Sequence, residues 1–358
     1  MNVRDAPYGA KGDGVADDTA AIQRAVDAVG GTGGTVLVPD GTYLVNAVAQ
    51  SSMGIRLRSS MTFRMSQGAA LKAIPNGSDN YAILALNRVS NVNVVGGTLL
   101  GERSAHQSSG GEGGVGLLIT GAQHVAVEGV TARDCWGDGF YVSGASSDVT
   151  LCNVVSDHNR RQGLSITSVN GMAVRHSTFK NTGGTEPEAG IDVEPNSGDN
   201  ISNVLITGCT LTNNAGGGFQ CGTPFPGSAT ATGIVFDQNT VNGNGVNPVG
   251  GKYRQAVKVT VFDGVQVTNN QVLDNIGQGI CLTDSATRTL VKGNTVKGTQ
   301  SVSGDEYWTG AGILISTCAG STVTQNTVAN NAGRGIWQIV ADATVIISNN
   351  TESGNGVP

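Results

Sequence analysis

Apolar and free positions alternate in a short phrase that recurs along most of the chain: a glycine, an apolar residue, a variable residue and another apolar residue. It stands as Gly139-Phe140-Tyr141-Val142, Gly163-Leu164-Ser165-Ile166, Gly190-Ile191-Asp192-Val193 and Gly218-Phe219-Gln220-Cys221. It continues as Ala256-Val257-Lys258-Val259, Gly279-Ile280-Cys281-Leu282, Gly312-Ile313-Leu314-Ile315 and Gly335-Ile336-Trp337-Gln338. Each phrase predicts one short strand with apolar residues on one face and a free choice on the other. Recurrence at a near-fixed period predicts a solenoid, in which the free positions stack into one continuous surface. That surface is where function is expected.

A second column follows each phrase by about fourteen residues: Asn153, Ser177, Cys209, Asn239, Asn270, Asn294, Asn326 and Asn350, with Gly97 and Gly129 fitting the same place earlier. Successive gaps from Asn153 are 24, 32, 30, 31, 24, 32 and 24 residues, by subtraction of those numbers. The base rung is thus about two dozen residues, lengthened in places by a loop. Stacked turn asparagines can satisfy backbone groups through their amides, so this ladder reads as scaffold without chemistry.

The first 45 residues differ from the rungs at 46–358, although the chain reads as a single domain. Asp17-Asp18-Thr19 precedes an apolar spacing that includes Ile22 and Val26, predicting an acidic N-cap and one short amphipathic helix over about 17–28. Gly30 to Gly34 end it, and Thr35–Pro39 and Thr42–Val45 read as strands. The open end of a solenoid exposes core and strand edges, so the helix is expected to cap it.

These N-terminal residues carry a more specific signal. Tyr8-Gly9-Ala10-Lys11-Gly12-Asp13-Gly14, Asp17-Asp18-Thr19-Ala20-Ala21-Ile22-Gln23, Gly33-Gly34-Thr35-Val36-Leu37-Val38-Pro39 and Gly41-Thr42-Tyr43 together resemble the opening of the pectate-lyase-like right-handed parallel β-helix superfamily. That group includes polygalacturonase-like glycoside hydrolases, polysaccharide lyases, alginate C5-epimerases and phage tailspikes. The resemblance implies an all-β, right-handed single-stranded parallel β-helix with a short N-terminal capping α-helix, which binds and processes long polysaccharides. It does not fix the reaction, because one scaffold hosts several chemistries.

Composition agrees with a coil of short strands. Fifty-four dispersed glycines, few aromatics and regular Val, Ile and Leu suit tight turns and exclude disorder. The net charge is −6 with no basic run, so nucleic acid is excluded as a partner. No apolar stretch is long enough to span a membrane. Six cysteines form no C-x-x-C pair and no metal-type spacing, and most fall where core-filling thiols belong, although a bridge between rungs stays open. The domain begins directly after Met1 without a signal peptide, so export would use a leader absent from this sequence or another route, for example on a virion. Nothing in the sequence decides between a monomer and a homotrimer.

Read through the repeats, the free position gives Tyr141, Ser165, Asp192, Gln220, Lys258, Cys281, Leu314 and Trp337. Asp192 and Glu194 share one strand, with Tyr141 two rungs above and Lys258 two rungs below. Residues two apart on a strand project to the same side at roughly 7 Å, a spacing that brackets both the retaining and the inverting arrangement of glycosidase carboxylates. Paired acids push their pKa values apart, so one stays protonated as general acid while the other serves as base or nucleophile. The candidate catalytic residues are therefore Asp192 and Glu194, with Lys258 and Tyr141 beside them. The plainer alternatives are a solvated acidic face or a Ca²⁺ ligand set; no Gly-Gly-x-Gly-x-Asp repeat is present, and hydrolysis requires no cofactor.

The long gaps place extra residues just before the exposed strand, at 183–188, 250–254 and 304–308. Insertions on one edge of a repeat array form its binding face. Candidate substrate-binding residues are Gln220, Arg161, Arg254, Tyr253, Tyr307, Trp308, Trp337 and Glu188, with Trp136 as a further aromatic; flat rings stack on sugar faces. In a lyase or epimerase, an arginine would neutralise a uronate while Lys258 or Tyr141 moved the C5 proton. The alginate-epimerase run Asp-Pro-His-Glu is absent, the matching strand reading Phe140-Tyr141-Val142-Ser143, and so is the polygalacturonase-type set of Asn-Thr-Asp, Asp-Asp and His-Gly. None of His106, His124, His158 or His176 falls on the active column.

Overall fold

The computed structural model describes residues 1–246, 254–302 and 309–356. Among the described residues, the chain winds into a coil whose turns stack as three parallel sheets of 13, 12 and 11 strands. Every pairing between neighbouring strands is parallel, so each residue lies over a counterpart one turn away. One inward column runs Leu117, Phe140, Leu164, Ile191, Phe219, Val257, Ile280 and Ile313. All eight are fully buried, and they belong to one apolar core that runs the length of the coil.

The glycine that opens each phrase has a packing reason. At Gly163 a Cβ would lie 2.3 Å from the Gly190 carbonyl oxygen, and at Gly279 one would lie 2.4 Å from that of Gly312. Where the phrase opens on glycine, the start of the strand thus presses on the next rung too closely for a side chain.

The asparagine ladder is present and continuous. Asn270 Oδ1 accepts from the backbone N–H of Asn239 at 2.8 Å and from Asn239 Nδ2 at 3.1 Å. Asn270 Nδ2 in turn donates to the Phe236 carbonyl at 3.0 Å, and its own N–H donates to Asn294 Oδ1 at 2.9 Å. The pattern extends through Asn326 to Asn350. Two expected members fall one position off. Asn153 (φ 53°) and Gly129 (φ 64°) occupy the left-handed turn just before the column. The ladder residue in that rung is Val154, whose N–H donates to Ser177 Oγ at 3.1 Å. A left-handed turn favours Asn for its backbone conformation, which mimics the ladder signal in sequence.

A second ladder lies five residues further on, with Asn159, Asn214, Asn244, Asn275, Asn331 and Asn355 in most rungs and Thr182 and Thr299 in the other two. Asn214 N–H donates to Asn244 Oδ1 at 3.0 Å, and Asn244 N–H donates to Asn275 Oδ1 at 2.9 Å. This ladder precedes the strands of the eleven-strand sheet and so fixes where their outward side chains begin.

The cap helix spans Thr19–Val29 and buries Ile22, Ala25 and Val26. Its Asp18 is not a side-chain cap; the carboxylate accepts instead from the N–H groups of Lys11 and Gly12 at 2.6 and 2.9 Å, which ties down the N-terminal loop. Gln23 does the capping of the coil. Its Oε1 accepts from Arg56 N–H and its Nε2 donates to Arg56 carbonyl, both at 2.9 Å, so one amide stands in for the missing neighbour of the first strand in that sheet. No helix of the described residues is long and apolar enough to cross a membrane. All six cysteines are unbridged, and burial pushes the Cys209 and Cys318 thiols up to about 11, which keeps them inert.

Replacing Asn270 by Ala should destabilise the fold by about 3 kcal/mol, because it leaves buried donors of Asn239 unmatched. Asn153→Gly, off the ladder, should stay within about 0.5 kcal/mol. Chemical denaturation of both variants checks the contrast; equal losses would contradict the assignment of the ladder.

Candidate active site

The eleven-strand sheet carries the free positions in register: Leu118, Tyr141, Ser165, Asp192, Gln220, Lys258, Cys281, Leu314 and Trp337 lie over one another in that order. Two depressions lie on this face. The upper one, 590 Å³, is lined by residues that include Met53, Asp79, Glu112, Leu118, Asp138, Tyr141 and Arg161. The lower one, 210 Å³, is lined by Asp192, Glu194, Gln220, Thr223, Lys258, Thr260 and Asp284 among others.

Asp192 sits at the middle of the column and is only 4% exposed. Gln162 Nε2 donates to its Oδ2 at 2.7 Å. Burial raises its pKa well above the ordinary value, the nearby charge of Glu194 raises it further, and Arg161 only partly offsets this. Glu194 is also raised by burial, but Arg161 and a hydrogen bond with Asp192 pull it back. Burial thus raises both carboxyls, Asp192 the more strongly.

Arg161 organises the carboxylates around it. Its Nη1 lies 3.4 Å from Asp138 Oδ2, and its Nε faces Glu112 Oε2 at 3.1 Å, off the angle of a hydrogen bond. Burial alone would lower its pKa, yet Asp138, Glu112, Asp192 and Glu194 outweigh that and hold the guanidinium cationic. Asp138 is fully buried and raised by burial, countered by Arg161 and by Ser165. Ser165 Oγ donates to Asp138 Oδ2 at 2.8 Å, and the N–H of Gln162 donates to Asp138 Oδ1 at 3.1 Å. Gln162 thus bridges Asp138 in one rung and Asp192 two rungs on. The Tyr141 phenol is raised by burial, although a hydrogen bond with Thr167 tempers the shift.

Tyr141 and Arg161 line the upper depression of this face, and Asp192, Glu194, Gln220 and Lys258 the lower one. The Nε2 of Gln220 is buried with no hydrogen-bond partner among the described residues. Trp337 lies at the lower end of the column, packed on Cys281, Ala311 and Leu314, with the Arg334 guanidinium 4.9 Å from its ring centre. Arg254 precedes the strand Gln255–Thr260 and is half-buried, its Nε unmatched. Glu188 is placed elsewhere: it is buried, accepts from Gly184 N–H, and lines a separate depression with Arg103 and His158. Tyr253, Tyr307 and Trp308 lie outside the described residues. Trp136 is stacked on His106 and is a loop anchor.

Asp138, Gln162 and Glu112 were not singled out from sequence. The signal for the first two is positional: each directly precedes the glycine of its phrase, at the start of the strand, where Asp and Gln stand in neighbouring rungs. Glu112 lies in a glycine-rich loop that carries no pattern. Among the described residues no group of three His, Cys, Asp or Glu is arranged to hold a metal ion.

The sequence matches the family model described as right-handed β-helix region over residues 46–224, 116–296 and 202–357. The chain belongs to the right-handed parallel β-helix family. Residues 1–58 of this β-helix also match the family described as rhamnogalacturonase A/epimerase, pectate lyase-like. The protein YclG of Bacillus subtilis is 29% identical over 216 residues, covering 53% of this chain and 37% of that protein. Mannuronan C5-epimerase AlgE6 of Azotobacter vinelandii is 30% identical over 186 residues, 46% of this chain and 20% of that protein. The match thus spans about a third or less of these curated relatives. The solved A-module of AlgE6 superposes with a TM-score of 0.66 at 22% identity, over 100% of this chain and 99% of that one. An exopolygalacturonase from Thermotoga maritima superposes at 0.67 with 14% identity, over 99% and 91% of the two chains. These superpositions fix the fold of the β-helix.

The raised pKa of Asp192 makes a stability prediction. A carboxyl raised on folding contributes fully below its unfolded value near 3.8, and that contribution is lost as pH rises through the folded value. Asp192→Asn, which no longer titrates, should therefore gain stability relative to the parent as pH rises from about 4 to 8. Melting temperatures at the two pH values check this; a difference that is flat or shrinks with pH would contradict a buried, protonated Asp192.

Proposed function

We propose that this β-helix hydrolyses glycosidic bonds of a polysaccharide lying in the groove of the eleven-strand sheet. The observation that carries the reading is the pair Asp192 and Glu194 lining one depression on the sheet face, Asp192 buried and raised well above the ordinary carboxylate range, Glu194 pulled back by Arg161. Asp192 gives its proton to the bridging oxygen as the bond to the anomeric carbon breaks. Glu194 acts as base or nucleophile at that carbon, and a water supplies the hydroxyl of the new reducing end. Arg161 steadies the negative charge left on the pair. Gln162 holds Asp192 in place, and Gln220 offers its unmatched amide N–H to a sugar oxygen. The reaction so written needs no cofactor. An extracellular or virion-borne protein would meet such a polysaccharide at a cell surface.

The second reading is a lyase or uronate epimerase. It is favoured by Tyr141 and Lys258, two rungs either side of Asp192 on the same face as Arg161, and by similarity to a protein named as a mannuronan epimerase. Against it, burial holds the Tyr141 phenol protonated, which suits a donor better than a base.

Incubation with a polysaccharide panel separates these outcomes. Hydrolysis gives new reducing ends without a rise in ultraviolet absorbance. An unsaturated, absorbing product would establish a lyase, and altered sugar configuration without cleavage an epimerase. Asp192→Asn and Glu194→Gln should each lower kcat by at least about 100-fold. Activity of the parent should fall as pH rises through the elevated pKa of Asp192. Near-normal turnover in both variants would overturn the assignment, and binding without any product would leave a glycan-binding module.

A further inference from the structure

The upper cleft has a one-sided charge inventory. Among the described residues that line it, Asp79, Glu112 and Asp138 are acidic and Arg161 is the sole cation. Arg161 is already divided between Asp138 and Glu112. In the lower cleft, Lys258 is set against Glu194 and Asp284. Among the described residues, the two clefts thus hold no cation in excess of their own carboxylates.

Glu112 is held at the wall, although its side chain is 67% exposed. His106, four residues after Glu102, accepts or donates at Nδ1 with that carboxylate at 2.9 Å and stacks 4.0 Å from Trp136. Trp136 Nε1 donates to the Gly110 carbonyl at 3.0 Å. Arg160 lies 3.9 Å over the Trp136 ring, and its Nη1 donates to the Gly111 carbonyl at 2.8 Å. This stack grips the two residues before Glu112, whose carboxylate lies 3.1 Å from Arg161 Nε. Without Glu112, Arg161 would be the natural partner for a sugar carboxylate, since a guanidinium pairs with carboxylate through parallel N–H bonds.

We infer that Glu112 is a specificity-determining residue that makes this groove select a neutral glycan over a polyuronate. It does so by occupying Arg161 and by presenting a like charge to any uronate in the upper cleft. Similarity to proteins named for mannuronan and polygalacturonate would lead to the opposite expectation. The inference rests on the reading of the groove as a polysaccharide site.

The test is calorimetric binding of matched hexasaccharide pairs that differ only in charge: oligouronates of galacturonic, mannuronic and glucuronic acid, each against its methyl ester. Asp192→Asn serves as the background to prevent turnover, with and without Glu112→Gln. The Asp192→Asn protein should bind the neutral member at least about tenfold more tightly in any pair it binds. Adding Glu112→Gln should shift the charged-to-neutral affinity ratio toward the charged member by about tenfold or more, and this gain should shrink at high salt. Preference for the charged member, or an unchanged ratio in the double variant, overturns the inference while leaving hydrolysis standing. Binding of no pair by either protein, together with no product from the panel, overturns both.

Discussion

Register between turns is the constraint on which this molecule depends. Each strand is satisfied only by the strand one turn away, so a residue cannot move along the coil without breaking the pairing above and below it. The two asparagine ladders enforce that register where strands give way to turns, using side-chain amides as extra backbone units. Asn239, Asn270, Asn294 and Asn326 each accept from the N–H of the preceding rung and donate back to its carbonyls. The catalytic candidates inherit this precision. Asp138, Gln162 and Asp192 are far apart in sequence, yet hydrogen bonds link them across adjacent turns.

The same rigidity lets the fold carry an unfavourable site. Buried carboxyls such as Asp138, Asp192 and Glu194 oppose folding unless they are neutral or compensated. Here burial raises all three acids and the Arg161 guanidinium offsets each of them, while the ladders on either side supply the stability that the site spends. The candidate chemistry and the buried acids reside in the same few rungs. Above and below them the outward column is apolar or small, as at Leu118, Cys281 and Leu314.

Most of the architecture was legible because a solenoid writes its geometry as a period. The phrase beginning at Gly139 located every later strand of the eleven-strand sheet, and its third position gave the outward column in the correct order. The asparagine column was legible too, but Asn153 shows the limit: a left-handed turn and a ladder position select the same residue one place apart. Asp138 and Gln162 were missed because they act from the residue before the phrase, where the pattern admits Asp, Gln, Ala, Gly and Arg. Glu188 reads like a groove acid in sequence, yet it turns inward to hold its own loop, since a surface loop needs an internal acceptor for Gly184 N–H. Contacts made by loops, such as Glu112 on Arg161, leave no periodic trace at all.

The central claim is that the polymer lies along the eleven-strand sheet with its scissile bond over Asp192. A crystal structure of the Asp192→Asn variant with an oligosaccharide bound tests this most directly. The account predicts saccharide rings strung along the column from Tyr141 toward Lys258, with a glycosidic oxygen within hydrogen-bond reach of position 192. A saccharide seated in the depression beside Arg103 and His158, with the groove face bare, would contradict it.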